Sequence, residues 1–172
     1  MFLIAIDGKS GSGKTTLAAD FSKKYGGAVL HMDDFFLRPE QRIKERMEEI
    51  GGNVDYERFF EVLEQAKNGE VIRYQPYDCK TGKLKEVQWI EPGEMIIVEG
   101  SYSLHPYFGD YAQFKIGLDI EKEEQERRIL KRNGPQMLPR FLKEWIPKEN
   151  QYLDEFQIYK KCDLVIKKNV NY

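Results

Sequence analysis

Residues Gly8-Lys9-Ser10-Gly11-Ser12-Gly13-Lys14-Thr15 match the phosphate-binding pattern G-x-x-x-x-G-K-[ST] at every fixed position. This octapeptide constrains the fold more than any other segment. It follows directly on an apolar run of strand length, Phe2 to Asp7. Thr16 to Ser22 then reads as a helix, with Leu17, Phe21 and Tyr25 on one face. Strand, glycine loop and helix occur in the order needed to wrap a polyphosphate in backbone N–H groups. Gly8, Gly11 and Gly13 are expected to supply the close approach and positive φ angles, and the helix N-terminus further donors and a positive dipole end. Gly8, Ser10, Gly11, Ser12, Gly13, Lys14, Thr15 and Thr16 are therefore predicted to hold a nucleoside triphosphate. Lys14 would reach its β and γ phosphates and the Thr15 hydroxyl would ligate Mg²⁺.

The rest of the chain continues as alternating strands and helices. Ala28 to Met32 reads as a second strand ending at Asp33-Asp34. Ile43, Met47 and Ile50 recur at helical spacing within 39–50, and Gly51-Gly52 stops that segment. Asp55 to Lys67 predicts a helix with Tyr56, Phe59, Phe60, Leu63 and Ala66 on its apolar face. Residues 71–90 have β-rich arms around Lys80-Thr81-Gly82-Lys83 and read as an inserted hairpin. Met95 to Val98 suits a central strand covered on both faces and ends at Glu99. Phe114 to Ile120 is a further strand, Glu121 to Arg132 a charged helix, and Asp163 to Ile166 the last strand. Five strands alternating with helices imply one α/β domain, residues 1–172, on a parallel sheet.

Charge narrows the partners. Twenty-seven Lys and Arg balance 29 Asp and Glu for a net charge of -2, which argues against a broad cationic surface and against nucleic acid as partner. Met1 to Ile6 is far shorter than the ~20 residues of a membrane span, so no membrane association is expected. Cys79 and Cys162 are far apart and only two histidines accompany them, which excludes a disulfide framework or zinc site and leaves a cytoplasmic setting as the expectation. The motifs leave the oligomeric state open.

In a parallel α/β sheet, ligands bind at the carboxyl ends of the strands, where Asp7, Asp33, Asp34 and Glu99 fall. Asp33 is a candidate base for the proton of an attacking hydroxyl, with a turn or cap aspartate as the alternative; Asp34 reads as structural. Glu99 ends its strand as an acid that would hold Mg²⁺ through water or contact an acceptor. Asp7 is expected to organise the loop. Asp55 reads by spacing as a helix N-cap, and Tyr77 as a pocket wall or as packing. Arg127, Arg128, Lys131 and Arg132 are either a solvated face or a lid closing on phosphates.

Five ordered segments, GKSGSGKTT, HMDDFFLRP, NVDYERF, YQPYD and IIVEGSYSL, together resemble the uridine kinase and nicotinamide riboside kinase group of P-loop kinases, relatives of phosphoribulokinase. The resemblance implies a three-layer P-loop NTPase-type fold with a hairpin insertion at about 71–90 and an arginine-bearing lid at about 121–140. It implies Asp33 as base at the acceptor hydroxyl, Asp55 on ribose hydroxyls, Tyr77 lining the base pocket and Glu99 beside Mg²⁺ and acceptor. Arg127, Arg128 and Arg132 would serve as lid cations. Arg132-Asn133 stands where the group has Arg-Asp.

The expected activity is transfer of the γ-phosphate of ATP, with Mg²⁺, to a hydroxyl of a small nucleoside- or riboside-type acceptor. Two alternatives remain: a nucleoside monophosphate kinase, since IAIDGKSGSGKTT also looks like cytidylate kinases, and a non-catalytic nucleotide-dependent regulator.

Overall fold

A computed structural model of the chain describes residues 1–168 apart from Pro92. Phe2–Gly8 forms β1, Lys14–Tyr25 α1 and Ala28–His31 β2. A 3-10 turn at Met32–Phe35 leads to the short α2 (Lys44–Glu48) and then to α3 (Tyr56–Lys67). Four small strands follow: β3 (Ile72–Tyr74), β4 (Tyr77–Asp78), β5 (Lys83–Leu84) and β6 (Gln88–Ile90). Met95–Glu99 is β7, Phe114–Ile120 β8 and Lys122–Asn133 α4. Leu138–Arg140 (α5) passes through a π-type turn, Phe141–Trp145, into α6 (Ile146–Glu155), and Leu164–Lys168 is β9.

The main sheet has the order β2-β7-β1-β8-β9, and every pairing in it is parallel. Its central strands are buried on both faces, which explains their unbroken apolar runs. Leu3 and Ala5 of β1, with Ile96 and Val98 of β7, face a core completed by Phe35, Phe59, Leu63, Phe108 and Tyr152. Ile4, Ile6 and Ile97 point the other way, onto Ala18 of α1 and Ile116 and Leu118 of β8. Three layers result, as the motif order implies. Each fully buried aliphatic side chain contributes about 1.5–3 kcal/mol.

The structure corrects several boundaries. The predicted helix over 39–50 is a 3-10 turn at Pro39–Gln41 followed by the five-residue α2, which buries no residue. Ile43 is 58% exposed, so its spacing marks no packed face, and a short helix without tertiary burial does not propagate. The insertion at 71–90 is two small ladders, β3 with β6 and β4 with β5, separated at Gln75-Pro76, where proline removes a ladder donor. The last strand runs to Lys168 rather than Ile166. A helical stretch at 138–155 follows the predicted lid, and no signal used above anticipates it.

Candidate active site

β1, β7 and β2 are adjacent, and their carboxyl ends carry Gly8, Glu99 and His31 to one edge of the sheet. There the 9–13 loop turns into α1. Gly13 precedes the helix at φ 100° without side-chain capping, and no acidic residue lies in the first turn. The first bond of the helix runs from Leu17 N–H to the Gly13 carbonyl at 3.0 Å. Among the described residues, the N–H groups of Gly13, Lys14, Thr15 and Thr16 have no protein acceptor. A helix start with free donors and unopposed dipole is a built anion site, so these residues fit a polyphosphate. Gly8 has the positive φ expected of it and a further constraint besides: a Cβ there would stand 2.0 Å from the Leu118 carbonyl oxygen. The packing of β1 on β8 thus constrains Gly8 in addition to its positive φ of 137°.

Lys14 Nζ donates to the carbonyls of Gly8 at 2.7 Å and Lys9 at 3.0 Å and to Ser101 Oγ at 3.3 Å. Thr15 Oγ1 donates to the Glu99 carboxylate, 3.1 and 3.2 Å from its two oxygens. Glu99, 5% exposed, is also 2.6 Å from His31 Nδ1. The hydrogen bond to Glu99 raises the His31 pKa, against partial burial. Thr15 and Glu99 thus present a hydroxyl and a carboxylate side by side, a donor set suited to Mg²⁺ completed by water and phosphate oxygens. Among the described residues no three His, Cys, Asp or Glu side chains form a metal cage, and none is needed for an ion held in that way.

Asp33 sits in the 3-10 turn after β2 and is exposed. The protein mass around its carboxyl raises its pKa, with Glu99 and Glu149 acting in the same direction and Lys14 and Arg132 opposing them. Its access to solvent tempers the burial effect. Those influences place Asp33 in the field of the loop lysine. Asp34 is tied down instead: Tyr74 Oη donates to its carboxylate at 3.2 Å and Arg58 to its carbonyl at 2.8 Å.

Asp55 is 3% exposed and caps α3, accepting from Arg58 N–H at 3.3 Å. Gln41 Nε2 and Arg58 Nε hold its second oxygen at 3.1 and 3.3 Å, so the spacing argument for a cap holds. Tyr77 is buried, with its hydroxyl 2.8 Å from Arg42 Nη2. Asp7 is fully buried and does organise the loop. It accepts from Gly8 N–H at 2.6 Å, Leu104 N–H at 2.8 Å and Tyr152 Oη at 2.6 Å, and its burial raises its pKa.

The charged helix α4 divides its arginines. Arg128 Nη1 donates to the Gly11 carbonyl at 3.3 Å, and Gln125 Nε2 to that of Ser10 at 2.9 Å, so this helix lies on the loop. Arg132 stacks over Phe141 and acts on Asp33. Glu124 pairs with both neighbours, with Arg128 Nε at 2.7 Å and with Arg127 through two bonds of 2.6 Å, the Arg127 side chain being 64% exposed. Residues beyond the sequence reading also enter: His31, Ser101, Gln125, and Glu149 and Tyr152 of α6. Proximity to Asp33 and Glu99 in sequence signals His31 and Ser101, whereas nothing local signals Glu149.

A model of the phosphoribulokinase / uridine kinase family matches residues 3–134. A uridine kinase of Staphylococcus haemolyticus (strain JCSC1435) is 26% identical over 180 residues, 95% of this chain and 86% of the relative. A phosphoribulokinase of Synechocystis sp. is 27% identical over 132 residues, 70% of this chain and 38% of that one. Among solved structures, one described as a possible uridine kinase from Bacillus stearothermophilus has a TM-score of 0.73 at 23% identity, covering 96% of this chain and 88% of its own. A D-glycerate 3-kinase from Cryptococcus neoformans scores 0.64 at 16% identity, covering 89% and 79%. These structural likenesses establish the P-loop α/β fold. No helix among the described residues is long and apolar enough to cross a membrane. With the family model spanning most of the chain and the loop, Glu99 and α4 assembled on one sheet edge, the chain belongs to the phosphoribulokinase / uridine kinase family of kinases.

Proposed function

We propose that the protein transfers the γ-phosphate of ATP to a hydroxyl of a small nucleoside- or riboside-type acceptor. The observation that carries this reading is that the exposed Asp33 follows β2 at the same carboxyl edge of the sheet as the uncapped phosphate loop and Glu99. In this reading the N–H groups of Gly13 to Thr16 hold the donor phosphates. Lys14, with Arg128 and Arg132 of α4, offsets the charge that spreads over the transferring group. Asp33 accepts the hydroxyl proton as the new bond to phosphorus forms. Asp55 and Tyr77 form the acceptor side, Asp55 with a ribose contact added to its capping role. Thr15 and Glu99 would hold Mg²⁺, which neutralises phosphate charge when bound. A reducing cytoplasm suits the exposed Cys79 and half-buried Cys162, both free.

The arginines around the acceptor side favour an uncharged acceptor over a nucleoside monophosphate. Arg42 donates to the Leu37 carbonyl at 2.9 and 3.1 Å and to Tyr77. Arg58 is spent on Asp55 and on the Asp34 carbonyl, and Arg46 on the Val54 carbonyl and Glu57. Arg38 donates to Gln41 at 3.0 Å. A phosphate on the acceptor would have to take these guanidinium groups from the partners they already hold. A coupled ADP-release assay across nucleosides, ribosides and their monophosphates tests the reading. Turnover on the free hydroxyl compounds is expected; turnover confined to monophosphates, or none on any acceptor, contradicts it.

A further inference from the structure

α6 places two side chains, three residues apart, against the phosphate loop from below. Tyr152 Oη donates to Asp7 at 2.6 Å. Glu149, one turn earlier and 5% exposed, accepts the Ser10 N–H through Oε2 at 2.9 Å. Its Oε1 accepts the Ser101 hydroxyl at 2.8 Å and the Ser10 hydroxyl as well. Ser101 is the hydroxyl that meets Lys14 Nζ at 3.3 Å. The chain from α6 to the loop lysine is therefore Glu149, Ser101, Lys14, with a parallel bond into the loop backbone at Ser10.

Three features mark this contact as built. A carboxylate this deeply buried is costly unless its oxygens are paired, and here both are. The π-type turn at Phe141–Trp145 adds a residue to the turn preceding α6 and so rotates the faces of the helix that follows. And the helix is pinned: Glu149 cannot withdraw without disturbing the Tyr152 bond to Asp7, which is itself bonded to Gly8 and Leu104.

We propose that Glu149 is a positioning residue for the phosphate donor: through Ser10 and Ser101 it fixes the first turn of the loop and the Lys14 ammonium in the geometry that receives the terminal phosphate. This rests on the kinase reading only in taking a nucleoside triphosphate as the ligand. The opposing possibility has the opposite sign. A carboxylate that merely occupied the anion site would repel phosphate, and removing it would tighten binding.

The test is calorimetric titration of the full chain with a non-hydrolysable ATP analogue and with ADP, each with Mg²⁺. Glu149→Ala is expected to weaken the triphosphate analogue about tenfold and ADP by less than about threefold. Glu149→Gln, which still accepts the Ser10 N–H, is expected to recover most of the loss. Because the residues act in one chain, adding Ser101→Ala to Glu149→Ala should cost little more. Should Glu149→Ala fail to fold, Ser101→Ala alone is expected to show the same selective loss. Unchanged binding, equal weakening of analogue and ADP, or tighter triphosphate binding overturns the proposal. Loss of the kinase reading itself would appear as absent turnover in wild type and leave these binding differences intact.

Discussion

As the proposed base, Asp33 has to combine access to an incoming hydroxyl with a basic carboxylate, and it is exposed with its pKa raised. Surrounding protein and the neighbouring acids Glu99 and Glu149 raise its pKa, while Lys14 and Arg132 pull it down. A base works when deprotonated, so turnover should be lost as pH falls through a pKa above the usual carboxylate range. That acid limb is expected in a kcat/KM profile and should vanish in the residual activity of Asp33→Asn; a limb that persists in the variant assigns it to another group. Glu99 makes a different demand. Glu99→Ala removes the carboxylate beside the Thr15 hydroxyl and is expected to raise the Mg²⁺ concentration for half-maximal rate at least about tenfold. An unchanged Mg²⁺ dependence would remove Glu99 from the metal's surroundings. The variant also strips His31 of its partner at 2.6 Å, so Glu99→Gln, which keeps the shape, separates loss of charge from loss of packing.

Among the elements, β1 and the loop were legible in sequence because their signals are local: an apolar run, glycines at fixed offsets and a helix face within twenty-five residues. The same local reading had no access to a second constraint on Gly8, which comes from Leu118 on the neighbouring strand. Gly8→Ala is expected to destabilise the fold by about 2 kcal/mol or more, through the clash and a φ of 137° that a side chain resists. Equal melting temperatures for variant and wild type would show that β8 yields instead. α6 was illegible for a related reason. Pro139 and Pro147 interrupt the local helical pattern, and Pro147 lies where the π-type turn passes into α6. Its contact with the loop, Ser10 N–H to Glu149, spans 139 residues of chain. The segment at 39–50 failed in the other direction, since its apolar spacing was real but Ile43 faces solvent. Asp55 bears out the capping reading, with both oxygens bonded within the fold.

For the molecule as a whole, the near balance of charge now has a location. The cations assigned to the proposed site are Lys14 in the loop, Arg128 on the Gly11 carbonyl and Arg132 over Phe141. Three acids, Asp33, Glu99 and Glu149, stand among them, so the site is poised to hold a small polyanion without holding every polyanion. Phe59, fully buried where α3 meets the sheet and stacked edge-on with Phe35 and Phe108, supports this edge from behind. Phe59→Ala is expected to cost about 3–5 kcal/mol in denaturant unfolding, and a loss under about 1 kcal/mol would mean that the acceptor side is not braced by that core. In the proposed reading, phosphoryl transfer to a hydroxyl makes donor binding and proton acceptance separable functions of this edge, the first assigned to Gly13 to Thr16 and the second to Asp33. The most direct test measures both in one variant. In Asp33→Asn, turnover on the best acceptor is predicted to fall about 10²–10⁴-fold while the dissociation constant of a non-hydrolysable ATP analogue stays within about threefold of wild type; parallel loss of both, or turnover that survives, would contradict the assignment of Asp33 as the base.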